Sequence, residues 1–354
     1  MTSRREFLYS VSAMAATSFI EPTIGAATKS YGIAYTSFPI RSRQARESGG
    51  NQGPAIPAEK YLDLCQGFGA DGCQMDISQL VSTEAEYLKR IRAQLEAKGM
   101  YMELAVRARA LESEDEVAKI AAVSQQLGVS RLRVACLSGR RYEDFHDMAK
   151  WKEFAAQWQK TLEKAEPALK KHKLLVGVEN HKDWLADEQV AMLKRIGSEY
   201  LGACVDFGNN VALLEDSLEV AEKLAPYAVT THLKDMAVRP YEEGFELSEV
   251  ALGDGSTPLA KIISTLRKRR GDLHICLEMI TRDPLKVPYK TDHYWITHDR
   301  RDEARIRKFE NTILKQAWTK QLPRVTGMNT AEALAFEDDN LRRSAAYAKQ
   351  TLKL

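Results

Sequence analysis

The 354-residue sequence has little of what marks a membrane protein, a disulfide scaffold or a nucleic-acid binder. Its longest uncharged apolar stretch, Tyr9 to Ile20, is too short to cross a bilayer as a permanent helix. Five cysteines are an odd number and show no CxxC spacing, which leaves a zinc ribbon or a redox pair unsupported. Cys73, Cys136, Cys204 and Cys276 instead lie in apolar runs that suit buried thiols. The formal net charge is only +2, and the one dense basic cluster is Arg267-Lys268-Arg269-Arg270. That cluster reads as a solvated helix end, because a nucleic-acid groove needs a larger segregated basic face. A glycine-rich phosphate turn is also missing after the first strand-like run, where Tyr35-Thr36-Ser37-Phe38-Pro39 stands. This argues against a dinucleotide-binding open sheet.

What is present begins with an N-terminal targeting pattern. Ser3-Arg4-Arg5-Glu6-Phe7-Leu8 is followed by the uncharged stretch and then by the small residues Gly25, Ala26 and Ala27. The order resembles a twin-arginine export signal over residues 1–28, removed from a mature periplasmic or otherwise exported protein with no stable membrane insertion. That route carries folded proteins, so a cofactor can be loaded before crossing.

Beyond it, short apolar runs alternate with amphipathic ones. The runs predicted as strands are Tyr31 to Phe38, Gly72 to Ile77, Tyr101 to Val106, Arg131 to Leu137, Leu174 to Asn180, Leu201 to Phe207, Val229 to Leu233 and Leu273 to Met279. Most are apolar on both faces, as parallel strands under helices must be. Helices are expected between them. One covers Thr83 to Lys98, with Thr83 and Glu86 as a capping box, and another covers Trp151 to Lys171, bent or interrupted at Pro167. Eight strand-like runs with interposed helices predict an α/β fold: a single-domain (β/α)8 TIM barrel over residues 29–320, with a C-terminal helical extension over 321–354. The stretches Pro240 to Pro258 and Arg282 to Arg300 read as long loops on the catalytic face. The aromatic residues Tyr289, His293, Tyr294, Trp295 and His298 in the second of them suggest a lid, a stacking wall or an interface.

Four successive strands end in polar residues. Val178 leads to Glu179-Asn180-His181, Val205 to Asp206-Phe207-Gly208-Asn209, Thr231 to His232-Leu233-Lys234-Asp235, and Leu277 to Glu278. A barrel brings such ends to one mouth, where several carboxylates in a dry pocket cost several kilocalories per mole, roughly, unless a cation compensates. Mixed carboxylate and imidazole ligation suits one divalent ion, with Mn²⁺ the first choice and Co²⁺, Mg²⁺ or Zn²⁺ as alternatives. Lys234 and His181 are candidates to orient substrate oxygens. The competing reading pairs Lys234 with Asp235 and leaves His181 on a surface loop.

These motifs, with Gly253-Asp254-Gly255, resemble the xylose isomerase-like barrel superfamily of sugar isomerases, epimerases and endonuclease IV relatives. The resemblance runs in order from about Tyr31 to Trp318, with its specific motifs in the second half. It implies that Glu179, Asp206, His232 and Glu278 bind one divalent metal and that Glu179 and Glu278 also transfer the proton. It further implies an isomerase or epimerase acting on a keto sugar through an enediolate, with His181, Asn209 and Lys234 at the substrate. Asn209 departs from the histidine often found there in ketose epimerases, and no glutamate shortly after Glu179 matches their substrate-binding one. The metal cage therefore transfers and the ketohexose specificity does not. Three alternatives stay open. They are a metal-dependent lyase or hydratase on 3-keto-glycosides or inososes, an endonuclease IV-like phosphodiesterase, and a sugar-binding barrel without catalysis. Only seven histidines, two of them at strand ends, disfavour the three-metal phosphodiesterase. The expected partner is a small sugar, not nucleic acid, and the sequence leaves a homo-oligomer open.

Overall fold

A computed structural model describes residues 30–49 and 53–354. The export segment read over residues 1–28 lies outside the described residues. All eight expected strands form, seven of them trimmed at their ends and the seventh in chain order one residue longer than expected. They are β1 (Tyr31–Ala34), β2 (Gly72–Asp76), β3 (Tyr101–Ala105), β4 (Arg131–Val134), β5 (Leu175–Glu179), β6 (Leu201–Asp206), β7 (Ala228–Leu233) and, after a hairpin, β10 (Ile275–Leu277). The order β1-β10-β7-β6-β5-β4-β3-β2 closes on itself, with every neighbour pair parallel. Strands end early because the apolar run continues into a turn, as where Tyr35–Ser37 winds a 3₁₀ turn directly after β1.

The surrounding helices are α1 (Pro39–Gly49), α2 (Ala58–Gly67), α3 (Ala85–Lys98), α4 (Glu114–Leu127), α5 (Arg141–Asp144), α6 (Met148–His172), α7 (Ala186–Ile196), α8 (Ser217–Leu224), α9 (Leu259–Arg267), α10 (Asp292–Trp295), α11 (Glu303–Thr312) and α12 (Thr330–Gln350). Two local expectations are corrected. Helix α3 starts at Ala85 with Glu84 as its cap residue, so Thr83 and Glu86 build no capping box, and Ser82 Oγ accepts the Glu84 amide instead at 3.0 Å. Helix α6 continues without interruption through Pro167. Pro167 is exposed and the Glu163 carbonyl it frees is on the watered face, while Leu162, Ala165, Ala168 and Leu169 anchor both halves to the core.

The stretches read as long loops contain a small sheet. Strands β8 (Asp235–Tyr241) and β9 (Gly244–Val250) pair antiparallel, and β11 (Leu285–Val287) joins β9 on its other edge. Its apolar face, with Met236, Val238, Phe245, Leu247 and Val287, packs against Tyr289, Tyr294, Trp295 and Phe309 in a second core. Tyr289 and Tyr294 are 1% and 0% exposed, so the expected aromatic lid or stacking wall is instead the buried filling of this cap. Tyr294 Oη donates to the Ala212 carbonyl and Trp295 Nε1 to the Tyr289 carbonyl, which satisfies the polar ends of rings buried this deeply.

Helix α12 packs beside α1 and sends Leu341, Ala345 and Ala348 into the barrel's main core. From it, the buried Glu337 carboxylate accepts the Ile40 and Arg41 amides at 2.7 and 3.2 Å, serving as a cap for a helix whose own sequence supplies none. Replacing Glu337 with Ala should strand both amides and destabilise the protein by about 1–3 kcal/mol. Urea unfolding of the two proteins measures this, and an unchanged midpoint would show the cap to be dispensable.

Candidate metal centre

The barrel register places the four strand-end residues. Asp206 pairs across from His232, Glu179 from Cys204, and Glu278 follows β10 with its amide donating to the Leu233 carbonyl at 2.8 Å. One ligand atom from each of Glu179, Asp206, His232 and Glu278 lies within 4.8 Å of all the others, and every residue is at most 2% exposed. His232 Nδ1 sits 3.3 Å from Glu179 Oε1, 3.4 Å from Glu278 Oε1 and 3.7 Å from Asp206 Oδ2.

Local structure aims each group. Asn180 holds Asp206 by accepting its amide at 2.8 Å and donating to its carbonyl at 2.9 Å. Asp206 Oδ1 then accepts the amides of Gly208 and Asn209, leaving Oδ2 turned inward. Gly208 is required by close approach, since a Cβ there would stand 2.5 Å from Met236 Cγ. Glu179 takes Arg133 on one oxygen and Asn209 Nδ2 on the other, at 2.9 Å. Thr36 Oγ1 donates to Glu278 at 2.7 Å. Gln74 Oε1 lies 2.7 Å from His232 Nε2, which assigns a proton to Nε2 and leaves Nδ1, the nitrogen a metal would take, facing the carboxylates. Gln74 passes on to Glu103 Oε2 at 3.1 Å, and Glu103 Oε1 to His274 Nδ1 at 2.7 Å, so a polar chain crosses the barrel beneath the site.

Asp206 Oδ2, His232 Nδ1 and Glu278 Oε2 are buried without a hydrogen-bond partner. Two carboxylate oxygens balanced only by the Lys234 ammonium, converging with an imidazole nitrogen, have the chemistry that fits a divalent cation. Cys204 Sγ also approaches Glu179 and His232, but burial raises its pKa well above the usual thiol value, so it stays a neutral, poor ligand. The ammonium of Lys234 stands among the acids, ion-paired with Glu278 and 2.9 Å from Asp206 Oδ2 without hydrogen-bond alignment. This corrects the alternative that paired Lys234 with Asp235. Asp235 instead accepts the amides of Met236, Gly253, Gly255 and Thr257, and so shapes the Gly253-Asp254-Gly255 turn.

Burial opposes charge on every group here, and the partners decide the outcome. Glu179 is held well below the usual carboxylate range because Arg133, followed by His232, outweighs burial, and Glu278 likewise because His232 and Lys234 do. His232 is raised, since the carboxylates of Glu278 and Glu179 outweigh its burial. Without a metal a proton therefore sits where the ion would bind. His181 is near these groups but joins no ligand. Its Nδ1 is shut from solvent and unpartnered, and burial lowers the ring to about 4.

Several participants were not singled out in the sequence: Arg133, Gln74, Lys182, Glu249 and Arg282. Arg133 and Gln74 were visible as polar residues inside apolar strands, whereas the others sit on segments read as loops. Lys182 reaches Asn209 Oδ1, which also lies 3.3 Å from Lys234 Nζ. Glu249 on β9 binds Arg282 through two contacts of 2.5 and 3.1 Å. A groove of about 760 Å³ runs past Asp76, Val106, Arg109 and Glu116 and contains none of the four acidic and imidazole residues.

A family model described as xylose isomerase-like TIM barrel matches residues 62–298. Over 114 residues the chain is 31% identical to 3-oxo-isoapionate decarboxylase of Pectobacterium atrosepticum, a stretch covering 32% of this chain and 42% of that relative. A crystal structure of D-psicose 3-epimerase in the presence of D-fructose superposes with a TM-score of 0.57 at 14% identity, covering 91% of this chain and 99% of the other. A xylose isomerase-like TIM barrel protein from Mycobacterium smegmatis, in complex with magnesium, superposes at 0.55 with 13% identity, covering 81% and 98%. Identities this low speak for the fold alone.

Titrating Mn²⁺ into protein stripped with EDTA should raise the melting temperature and release roughly one proton per ion at neutral pH, as His232 Nδ1 exchanges its proton for metal. Uptake without proton release would remove His232 from the ligand set. A separate expectation concerns Glu249. Burial alone would raise its carboxyl, but Arg282, with Lys234 behind it, brings it down to about 2. The folded value lies below the unfolded one, so the pair's stabilisation is complete above pH 4.5 and is lost as pH falls toward 2, by an amount on the order of 2 kcal/mol. Acid unfolding of Glu249→Gln should lack that component, and curves of identical shape would refute it.

Proposed function

The chain belongs to the xylose isomerase-like TIM barrel family, and from that membership we propose a divalent-metal-dependent isomerase or epimerase of a small keto sugar. The observation that carries this reading is the set of four ligand atoms, from three carboxylates and one imidazole, gathered within 4.8 Å on four consecutive barrel strands. A divalent ion held by Glu179, Asp206, His232 and Glu278 supplies Lewis-acid polarisation of the sugar carbonyl, which acidifies the neighbouring C–H bond. Mn²⁺ is the proposed ion.

The chain's own groups do the rest. Glu179 and Glu278 flank His232 from different strands and are both kept ionised, so either can take the C–H proton and, once protonated, return it to the adjacent carbon, while delivery at the second face needs the other carboxyl to enter that step carrying a proton. Arg133 and Asn209 fix Glu179, and Thr36 fixes Glu278, so both carboxylates are oriented before substrate arrives. The Lys234 ammonium, beside Asp206 and Glu278, is placed to neutralise negative charge as it develops on a substrate oxygen. The small sheet is built from the segments that follow β7 and β10, and its role in this proposal is to keep water from the enediolate. His181 and Asn209 complete the proposed substrate contacts, and export by the twin-arginine route belongs to the same proposal.

A lyase is the second reading, favoured by the 31% identity to a decarboxylase. Loss of CO₂ from a β-keto acid leaves the C–C electron pair in the same enediolate, and protonation then gives the ketone, so the two reactions use one set of residues.

Incubation with candidate keto sugars in D₂O separates them. Isomerisation predicts deuterium at the carbon next to the carbonyl with no loss of carbon, whereas decarboxylation predicts stoichiometric CO₂. Glu179→Gln and Glu278→Gln should each lower exchange by about 10²–10⁴-fold. Exchange that survives both changes would sink the assignment of these carboxylates.

A further inference from the structure

Four carboxylates at the barrel mouth have a cation within reach, where Glu179 has Arg133, Asp206 and Glu278 share Lys234, and Glu249 has Arg282, while the buried Asp183 and Asp235 are held by backbone amides. Lys182 is the cation left over. It is 3% exposed, its Nζ donates to Asn209 Oδ1, and no carboxylate among the described residues lies within ion-pair distance of it. A buried ammonium with one neutral acceptor is costly. Its backbone is costly too, since Lys182 adopts φ +63, a left-handed conformation rare outside glycine. The chain bears both penalties to place this ammonium on the same oxygen that Lys234 approaches.

Two ammonium groups converging on one amide oxygen repel each other, and that oxygen is the one hydrogen-bond acceptor of Lys182 Nζ among the described residues. A divalent ion among Glu179, Asp206, His232 and Glu278 would add two positive charges and take over the carboxylates that now balance Lys234. The loaded mouth would then carry an excess of positive charge in a water-poor space, which a neutral sugar does not answer.

We propose that the substrate is an acidic sugar, and that Lys182 and Lys234 together bind its carboxylate beside Asn209. This inference rests on the metal-dependent keto-sugar reading and narrows its substrate class. A carboxylate accepts from both ammonium groups at once and restores charge balance, through charge-assisted hydrogen bonds about twice as strong as neutral ones. It also places a carboxyl group near the carbonyl in a sugar skeleton, as the decarboxylation alternative requires.

The test is calorimetric titration of the full, Mn²⁺-loaded chain with 5-keto-D-gluconate, D-fructose and D-fructose 6-phosphate. The keto acid should bind at least about tenfold tighter than fructose. Lys182→Met should erase most of that preference, and Lys182→Arg should retain it. Removing an unpaired buried charge should leave the melting temperature of the sugar-free Lys182→Met protein unchanged or higher, whereas a merely structural lysine would lower it. Equal affinity for acid and fructose, a preference that survives Lys182→Met, or tighter binding of the phosphate than of the keto acid would each overturn the carboxylate subsite. Deuterium exchange distinguishes failure of the wider reading: exchange without acid preference sinks this inference alone, and acid preference without exchange or CO₂ release sinks the reaction assignment alone.

Discussion

Three carboxylates and an imidazole are packed where water does not reach, and like charges at such separations repel strongly. Only a cation makes the arrangement tolerable, and much around the barrel mouth answers that demand. Lys234 meets it from within the cage, Arg133 from the side of Glu179, and a divalent ion would meet it best, because it binds all four groups at once. The apolar burial that folds the barrel thus sustains a charged centre at its mouth, with Asn180, Thr36 and Gln74 holding the ligands in fixed directions.

The support extends well below the mouth. Gln74, Glu103, Thr230 and His274 form a continuous polar chain inside the barrel, with Thr230 donating to Glu103 at 2.5 Å. Because each member is satisfied by the next, the chain fixes the His232 tautomer without leaving a buried group unpaired. Above the mouth, the three-stranded sheet and its aromatic cluster do for the loops what the barrel does for the strands. They remove segments that carry Lys234, Glu249 and Arg282 from solvent and so raise the strength of every charge pair there.

The legible parts of the sequence were those with a repeating physical cause. A strand buried on both faces must be apolar throughout, so Gly72 to Ile77 or Leu201 to Phe207 announced themselves, and the carboxyl end of each was where Glu179, Asp206, His232 and Glu278 had to be sought. Stretches governed by several weak signals were harder to read. Strand β9 alternates Phe245 and Leu247 with Glu246 and Ser248 but lies among residues rich in turn formers, and it pairs with β8 across a tight turn and with β11 from a segment further along the chain, a match that no local pattern specifies. Pro167 carries a strong helix-breaking signal that was overridden because its freed carbonyl faces water.

By itself the sequence determined the barrel and the meeting of four strand-end carboxylate and imidazole side chains at its mouth, since periodicity follows from burial and the strand ends follow from the periodicity. Tertiary structure alone decided the partners. Lys234 turned to Asp206 and Glu278 and away from its neighbour Asp235, Tyr289 and Tyr294 went into a core and not onto a lid, and Lys182 was left buried beside Asn209 with no acid of its own. Which charge meets which depends on side-chain directions across strands far apart in the chain, and closure of the barrel sets those directions.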